Sequence, residues 1–178
     1  LASLDENIGR VLRQLDDLKL ADQTVVILTS DNGGVDFPTA KSGHRPPTRN
    51  TPFRSGKGTL YEGGLRVPLI IRWPGRTKPG TECAAQVTSQ DFFPTLADAL
   101  GQTNAPRHDG VSLLPLLKNP KAPLKREALF WHYPHYYPRM TPASAIRAGD
   151  WKLIHYYEDD RMELFNLKTD PAETKNLA

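Results

Sequence analysis

The stretch VVILTSDNGG, residues 25–34, decides the fold. Its aliphatic, β-branched run is typical of a strand that is covered on both faces, and it ends at an acid, an amide and two glycines. Residues 2–19 come before it and carry apolar side chains every three or four positions, as in a helix with one buried face. A helix followed by a buried strand predicts an α/β layer arrangement.

Beyond this stretch, irregular and regular segments alternate. Residues 33–58 contain four prolines, several glycines and a series of basic side chains, which predicts a long irregular loop. Short aromatic-rich or alternating runs after residue 126 predict a small antiparallel sheet. The other predicted elements are a strand at residues 65–73, a short strand at 86–88, a helix at 90–100, a short helix or turn at 111–117 and a helix start at 170–173.

The predicted domain organisation has two parts. Residues 1–117 belong to an α/β domain, residues 118–125 with two prolines form a linker, and residues 126–178 form a small antiparallel-sheet subdomain. With 178 residues, the chain can bury a sizeable core.

Composition narrows the class of protein. Lys and Arg total 23 against 20 acids, and this dispersed net charge of +3 does not indicate a nucleic-acid partner, whereas an anionic substrate is compatible with it. The longest apolar runs are far shorter than the ~20 residues that span a bilayer, so we expect no membrane span. Cys83 is the single cysteine, which excludes an internal disulfide framework.

Asp31 and Asn32 are the first candidate functional residues. They lie where the predicted strand leaves the sheet, and ligands of α/β sheets bind outside the carboxyl ends of strands. Carboxylate and amide oxygens suit Ca²⁺ or Mg²⁺. Asp-Asn-Gly-Gly is also ideal turn chemistry, and from the pair alone a turn is the better interpretation.

Lys57 is the second candidate. It lies between Gly56 and Gly58, on backbone that is free to approach a ligand closely, and its ammonium can bind a tetrahedral oxyanion. The spacing of a phosphate-binding P-loop is absent, and a solvated loop lysine is an equal alternative. Glu62 and Arg66 are four positions apart, which favours a scaffold pair.

Taken together, the segments closely resemble the type I sulfatases, the arylsulfatase family of the alkaline phosphatase superfamily. The resemblance rests on SDNGG at residues 30–34, followed by GKGTLYEGGLRVPLIIRWPG at residues 56–75. Further matching pieces lie at residues 4–10, 91–96, 109–114, 145–154 and 163–171. The resemblance implies the C-terminal part of an alkaline-phosphatase-like sandwich, with helices around a mostly parallel sheet, plus the small antiparallel subdomain.

The resemblance also implies roles for individual residues. Asp31 and Asn32 correspond to two oxygen ligands of a divalent cation, Ca²⁺ or Mg²⁺, and Lys57 corresponds to a catalytic residue that contacts the substrate's sulfate. His44, in the same basic loop, is a further candidate for substrate binding, with an exposed loop residue as the alternative. Tyr133–Pro142 corresponds to a loop that reaches the entrance of the site.

One departure from the family pattern limits the expected activity. The family's nucleophile is formylglycine, made from the Cys or Ser of a C/S-x-P-x-R motif, and no such motif occurs in these 178 residues. Formylglycine is therefore expected outside this chain, which resembles the C-terminal half of a sulfatase. We predict that the chain alone does not hydrolyse sulfate esters.

The substrate expected from the resemblance is a sulfate ester of a carbohydrate or an aryl alcohol. Two alternatives remain: a phosphatase or phosphonate-ester hydrolase of the same superfamily, and a noncatalytic module that binds sulfated glycans through the basic loop Lys41–Lys57. Exposed sheet surface predicts self-association. Family members are often periplasmic, secreted or lysosomal, and the sequence identifies no compartment.

Overall fold

Contacts between residues divide the chain into two compact units, and each unit combines two separate stretches of the sequence. The computed structural model describes residues 2–102, 104 and 106–178. The first unit combines the residues up to Leu28 with Ile70–Lys125, and the second combines Thr29–Leu69 with Arg126–Ala178. Residues 126–178 thus lie in one unit. The segment Thr29–Leu69 groups with them, which the sequence did not lead us to expect.

The N-terminal helix is present, but its apolar stripe is uncovered. Helix α1 spans Ala2–Asp17 and contains no buried residue. Leu4 is 61% exposed and Val11 is 63% exposed, although their spacing predicts a buried face. The pattern therefore predicted the helix correctly, and the described residues do not supply the surface that would cover it.

The stretch at residues 25–34 contributes strand β1, Val26–Thr29. This strand pairs with β2, Leu69–Arg72, in a two-stranded sheet. Complete burial of β1 is a wrong prediction for the described chain, because Leu28 and Thr29 are exposed. Each strand of a two-stranded sheet has one neighbour, so its faces and outer edges are covered only by what packs on them. The Thr29 hydroxyl donates a hydrogen bond to the Pro68 carbonyl oxygen, at 2.9 Å.

Two short helices follow in the first unit. Helix α3 spans Phe92–Ala99 and α4 spans Leu114–Lys118, while α2, Glu62–Leu65, lies in the second unit. The predicted strand at residues 86–88 is wrong. Thr88 instead caps a 3₁₀ turn at Ser89–Asp91, and its backbone N–H donates to Asp91 Oδ2 at 2.8 Å. Gly101 follows α3 with φ +68°, the left-handed conformation that glycine commonly adopts just after a helix.

Four antiparallel strands form the sheet of the second unit and confirm the predicted small sheet. They are β3 Leu129–Tyr133, β4 Ala143–Ala148, β5 Trp151–Tyr156 and β6 Met162–Asn166, in that spatial order. The register places Ala145 between Trp131 and Ile154 on one face. That face carries the buried hydrophobic core, formed by Leu60, Tyr61, Met140, Ala143, Ala145, Ile154, Tyr156, Phe165 and Leu167.

The chain's last segment is a turn, and the helix start predicted at residues 170–173 is wrong. The Asp170 carboxylate accepts backbone N–H groups from Thr174 at 2.8 Å and Lys175 at 2.9 Å, as a helix cap does. Glu173 has φ +53°, which stops helical continuation. Across the described helices, none is both long and apolar enough to cross a membrane.

Candidate functional site

The two sequence motifs meet through their backbones. The Gly33 N–H donates to the Gly64 carbonyl oxygen at 2.9 Å, and the Lys57 N–H donates to the Gly34 carbonyl oxygen at 3.0 Å. The Gly63 N–H in turn donates to the Arg54 carbonyl oxygen at 2.9 Å. Residues 54–61, which carry Lys57 and precede α2, are called the lysine loop below. The exit of β1 and the lysine loop are thus hydrogen-bonded to each other within the second unit, and we call this arrangement the glycine interlock.

Glycine is required where these segments cross. A Cβ on Gly33 would overlap the Gly63 carbonyl oxygen, and a Cβ on Gly56 would overlap the Gly34 carbonyl oxygen. The sequence predicted that Gly56 lets the backbone approach a ligand closely, whereas the structure shows that Gly33 and Gly56 let backbone segments of the chain approach each other.

Asn50 completes the interlock, and sequence reasoning missed it. Its amide nitrogen donates to the carbonyl oxygens of Gly34 and Ser55, both at 2.9 Å, and its Oδ1 accepts the Gly34 N–H at 3.1 Å. One side chain therefore satisfies three backbone groups of the loop. An asparagine in a long Pro-rich loop gives no sequence signal for this role.

Asp31 and Asn32 lie at the exit of β1, as predicted, with oxygen atoms available for a ligand. Asn32 is half-buried and its Nδ2 donates to the Gly33 carbonyl oxygen at 3.1 Å, whereas its Oδ1 accepts no hydrogen bond from the described residues. Asp31 is exposed, and no described residue bonds its carboxylate. Nowhere in the described ranges do three or more His, Cys, Asp or Glu side chains gather as a metal site. Asp31 and Asn32 therefore offer the type of oxygen ligand that a hard cation prefers, but two residues do not complete its coordination.

Lys57 is half-buried, and its ammonium has no ion-pair partner among the residues described. The next residue, Gly58, has φ +80° and lies against the Tyr137 ring. This lysine is thus held by its backbone while its charge remains available. His44 is exposed in its loop, and within the described structure no contact joins it to Lys57 or Asp31.

A buried ionic cluster forms around Glu62, the residue that directly follows the lysine loop. Lys152 is fully buried, with Nζ 3.1 Å from Glu62 Oε1 and 2.8 Å from Glu173 Oε1. Glu173 Oε2 accepts the Glu62 backbone N–H at 2.7 Å, and Arg147 NH1 lies 3.1 Å from Glu62 Oε2. The predicted scaffold pair of Glu62 and Arg66 is present at 3.8 Å, but the sequence gave no sign of the buried partners.

Burial shifts the titration of this region. It raises the pKa of Glu173, and this effect outweighs the opposing attraction of Lys152. Burial also raises the pKa of Tyr61, whose hydroxyl donates to Glu163 Oε2 at 2.7 Å and bonds the Tyr156 hydroxyl at 2.8 Å. Burial therefore opposes ionisation of the Glu173 carboxyl group.

The Tyr133–Pro142 loop contacts the lysine loop. Met140 Sδ accepts the Leu60 N–H at 3.4 Å, and the Tyr137 ring packs edge-on against Phe37 with centroids 5.8 Å apart. The loop therefore lies beside the candidate sulfate contact.

Two family models match the chain. The model described as "Sulfatase" covers residues 1–102, and the model described as "N-sulphoglucosamine sulphohydrolase, C-terminal" covers residues 55–178. Together they cover every segment of the candidate site.

Two curated relatives agree with these models. A "Sulfatase" of Formosa agariphila is 39% identical over 98% of this chain and 34% of its own length. An "N-acetylglucosamine-6-O-sulfatase" of Bacteroides thetaiotaomicron is 36% identical over 98% of this chain and 30% of its own length. The chain thus spans about a third of the length of these relatives.

Solved structures show the same fold. A protein solved in complex with its substrate D-glucosamine-2-N,6-O-disulfate matches with TM-score 0.77 and 35% identity, over 99% of this chain and 34% of that one. A phosphonate monoester hydrolase from Silicibacter pomeroyi matches with TM-score 0.72 and 28% identity, over 98% and 34% of the two chains. This chain therefore belongs to the sulfatase family and has the C-terminal part of its alkaline-phosphatase-like α/β fold.

Proposed function

We propose that this chain is the C-terminal part of a sulfuric ester hydrolase for sulfated carbohydrates, in which Lys57 contacts the substrate's sulfate. The glycine interlock carries the proposal, because it fixes a lysine with an unpaired charge beside the strand exit that bears Asp31 and Asn32. The curated N-acetylglucosamine-6-O-sulfatase and the structure bound to a disulfated glucosamine support the substrate class.

Lys57 acts as a fixed positive charge. Its ammonium donates hydrogen bonds to sulfuryl oxygens, and it stabilises the negative charge that grows on them and on the leaving oxygen as the ester bond breaks. Removing one such preorganised donor reduces kcat by about 10²–10³ in comparable sites. His44 would contact more distant parts of the substrate, because it is exposed and has no contact with Lys57 in the described structure.

Asp31 and Asn32 would contribute two oxygen ligands to a divalent cation, Ca²⁺ or Mg²⁺. When bound, the cation supplies further neutralisation of the sulfate oxygens. Two protein ligands bind a hard cation weakly, because affinity rises with the number of charged oxygens. We expect the remaining ligands and the formylglycine nucleophile outside these residues.

Turnover of an aryl sulfate tests the proposal. We expect no turnover by the purified chain, and turnover when it is joined to a sulfatase N-terminal half that carries C/S-x-P-x-R. Lys57→Ala should reduce the kcat of the joined protein by about 10²–10³, while Lys41→Ala, a charge change in the same basic loop, should leave it near wild type. Activity of the chain alone would refute the predicted inactivity, and unchanged activity of Lys57→Ala would refute the role of Lys57.

A phosphonate-ester hydrolase is the second candidate, favoured by the structural match to such an enzyme. Sulfate and phosphonate esters share tetrahedral geometry, so the same lysine can bind either group. Comparing kcat/KM of the joined protein for an aryl sulfate and an aryl phosphonate separates the two functions. We expect the sulfate ester to be the better substrate.

The noncatalytic glycan-binding alternative relies on the basic side chains of the loop Lys41–Lys57. In the structure, one of these side chains is already bound to other parts of the fold. Arg54 stacks over the Tyr61 ring at 3.9 Å and donates to the Glu173 carbonyl oxygen at 3.1 Å, so it serves the fold. Salt-sensitive glycan binding without activity in the joined protein would favour this alternative.

A further inference from the structure

A carboxylate lies beside the loop that carries Lys57. The Asp36 side chain is 14% exposed, and its Oδ1 is buried without a hydrogen-bond partner in the described structure. A Cβ placed on Gly56 would lie 3.1 Å from that oxygen, so the carboxylate packs against the residue that precedes Lys57. Asp36 therefore places a negative charge beside the backbone that carries Lys57, the proposed sulfate contact.

An uncompensated carboxylate at this place would oppose sulfate binding. It would repel the incoming anion and offer the Lys57 ammonium an internal partner. Because Asp36 is largely withdrawn from water, solvent and salt screen its charge less than they screen a surface carboxylate. An anion site built here needs a cation that neutralises Asp36.

Arg139 is that cation. Its NH1 lies 2.8 Å from Asp36 Oδ2, and its side chain is 45% exposed. No other described cationic side chain is within ion-pair distance of Asp36. Arg139 belongs to the Tyr133–Pro142 loop, whose Tyr137 packs on Gly58. The loop thus reaches both sides of Lys57, with the arginine at Asp36 and the tyrosine at Gly58.

We propose that Arg139 is a positioning residue for sulfate binding that acts through Asp36. It neutralises the Asp36 carboxylate and so leaves Lys57 available for the substrate's anionic group. The inference rests on the sulfate contact proposed for Lys57. It assigns to the Tyr133–Pro142 loop an electrostatic role in the site, separate from any contact with the sugar.

Titration of the chain with inorganic sulfate, followed through the backbone amide signals of residues 56–58, tests the proposal. Arg139→Met should weaken sulfate binding by about threefold to tenfold, because it exposes the anion to an unpaired carboxylate. The double variant Asp36→Asn/Arg139→Met should return to within about twofold of wild type, since the repulsive charge is then absent. Arg139→Lys keeps the charge and should also stay within about twofold.

Lys168→Met is the matched control. Lys168 forms an exposed pair with Asp150 at 4.0 Å, so its removal changes the net charge equally but breaks a solvent-screened contact. We expect an effect of less than about twofold. Hydrogen exchange of the Lys57 N–H, which bonds the Gly34 carbonyl oxygen, reports whether the loop is intact in each variant.

The outcomes separate the two proposals. If wild type binds no sulfate, or Lys57→Ala binds it as well as wild type does, the role of Lys57 fails and the inference fails with it. If Lys57→Ala loses binding while Arg139→Met retains it, the inference alone is overturned. A double variant as weak as Arg139→Met also overturns it, because Asp36→Asn restores the charge balance but not the packing of a lost arginine.

Discussion

The two units of this chain differ in how completely they are packed. All nine residues of the hydrophobic core cluster belong to the second unit, together with a fully buried lysine between two buried glutamates. In the first unit, α1 has no buried residue and Ile70 of β2 is 60% exposed. The candidate sulfate and metal residues lie in the well-packed unit, so their placement depends on the C-terminal sheet more than on the strand that introduces them.

Long-range contacts explain this dependence. The Tyr61 hydroxyl, in the lysine loop, donates a hydrogen bond to Glu163 of β6. The Leu60 N–H donates to Met140 Sδ of the Tyr133–Pro142 loop. The lysine loop therefore packs on residues about a hundred positions later in the chain. Four predictions test how far the two units differ, beginning with the largest effect.

Lys152→Met should destabilise the second unit most. It leaves two buried glutamates without their shared cation, and breaking a buried ion pair in this way costs about 3–5 kcal/mol. Urea unfolding followed by tryptophan fluorescence measures the loss. Lys168→Met, at an exposed pair, is the control and should cost less than about 1 kcal/mol. Equal losses in the two variants would show that the buried cluster does not hold the unit together.

Gly33→Ala should be the next largest change, because its methyl group would overlap the Gly63 carbonyl oxygen in the glycine interlock. Overpacking of this kind costs about 1–3 kcal/mol. Gly9→Ala in α1 is the contrasting variant, since its nearest neighbour is the flexible end of Arg13 and helix propensity favours alanine by about 0.5–1 kcal/mol. A harmless Gly33→Ala would contradict the close backbone approach.

Stability should depend on pH through Glu173. Burial raises the pKa of this acid in the folded chain, so the folded state holds its proton more tightly than the unfolded state does. The resulting stability is fully present below the ordinary pKa of 4.5 and is lost as pH rises through the raised folded pKa.

Glu173→Gln removes this titration and keeps an oxygen for the Glu62 N–H. The Tm of wild type should therefore fall more steeply than that of Glu173→Gln as pH rises above 4.5. Glu82→Gln, at an exposed position, should keep the wild-type slope. Parallel Tm profiles for wild type and Glu173→Gln would contradict the direction of the pKa shift.

The smallest effect concerns self-association through the exposed sheet. Ile70→Lys, on β2, should weaken concentration-dependent association in sedimentation experiments, because it places a charge on an apolar face. Leu177→Lys, at an exposed apolar residue of the second unit, should leave the association unchanged. A monomeric wild-type chain at all concentrations would contradict this expectation.

The sequence predicted local features better than long-range ones. Apolar spacing predicted α1 and the four-stranded sheet because each pattern is set by neighbouring residues. The capping signal at Asp170 was interpreted as a helix start, since the pattern does not show that Glu173 adopts φ +53° and bonds the Glu62 N–H. Lys152 and Arg139 gave no signal, because their partners Glu62 and Asp36 lie far away in sequence. Asn50 gave none because its bonds go to backbone groups of an irregular loop, which leave no side-chain pattern.

Native-state hydrogen exchange tests the central claim most directly: residues 29–69 fold with the C-terminal sheet and so hold the candidate sulfate and metal residues in place. The amide protons of Gly33, Lys57 and Gly63 should open with the same free energy as those in the centre of β4 and β5. Rapid exchange of these three amides, at rates typical of an exposed loop, while the sheet stays protected would contradict the account.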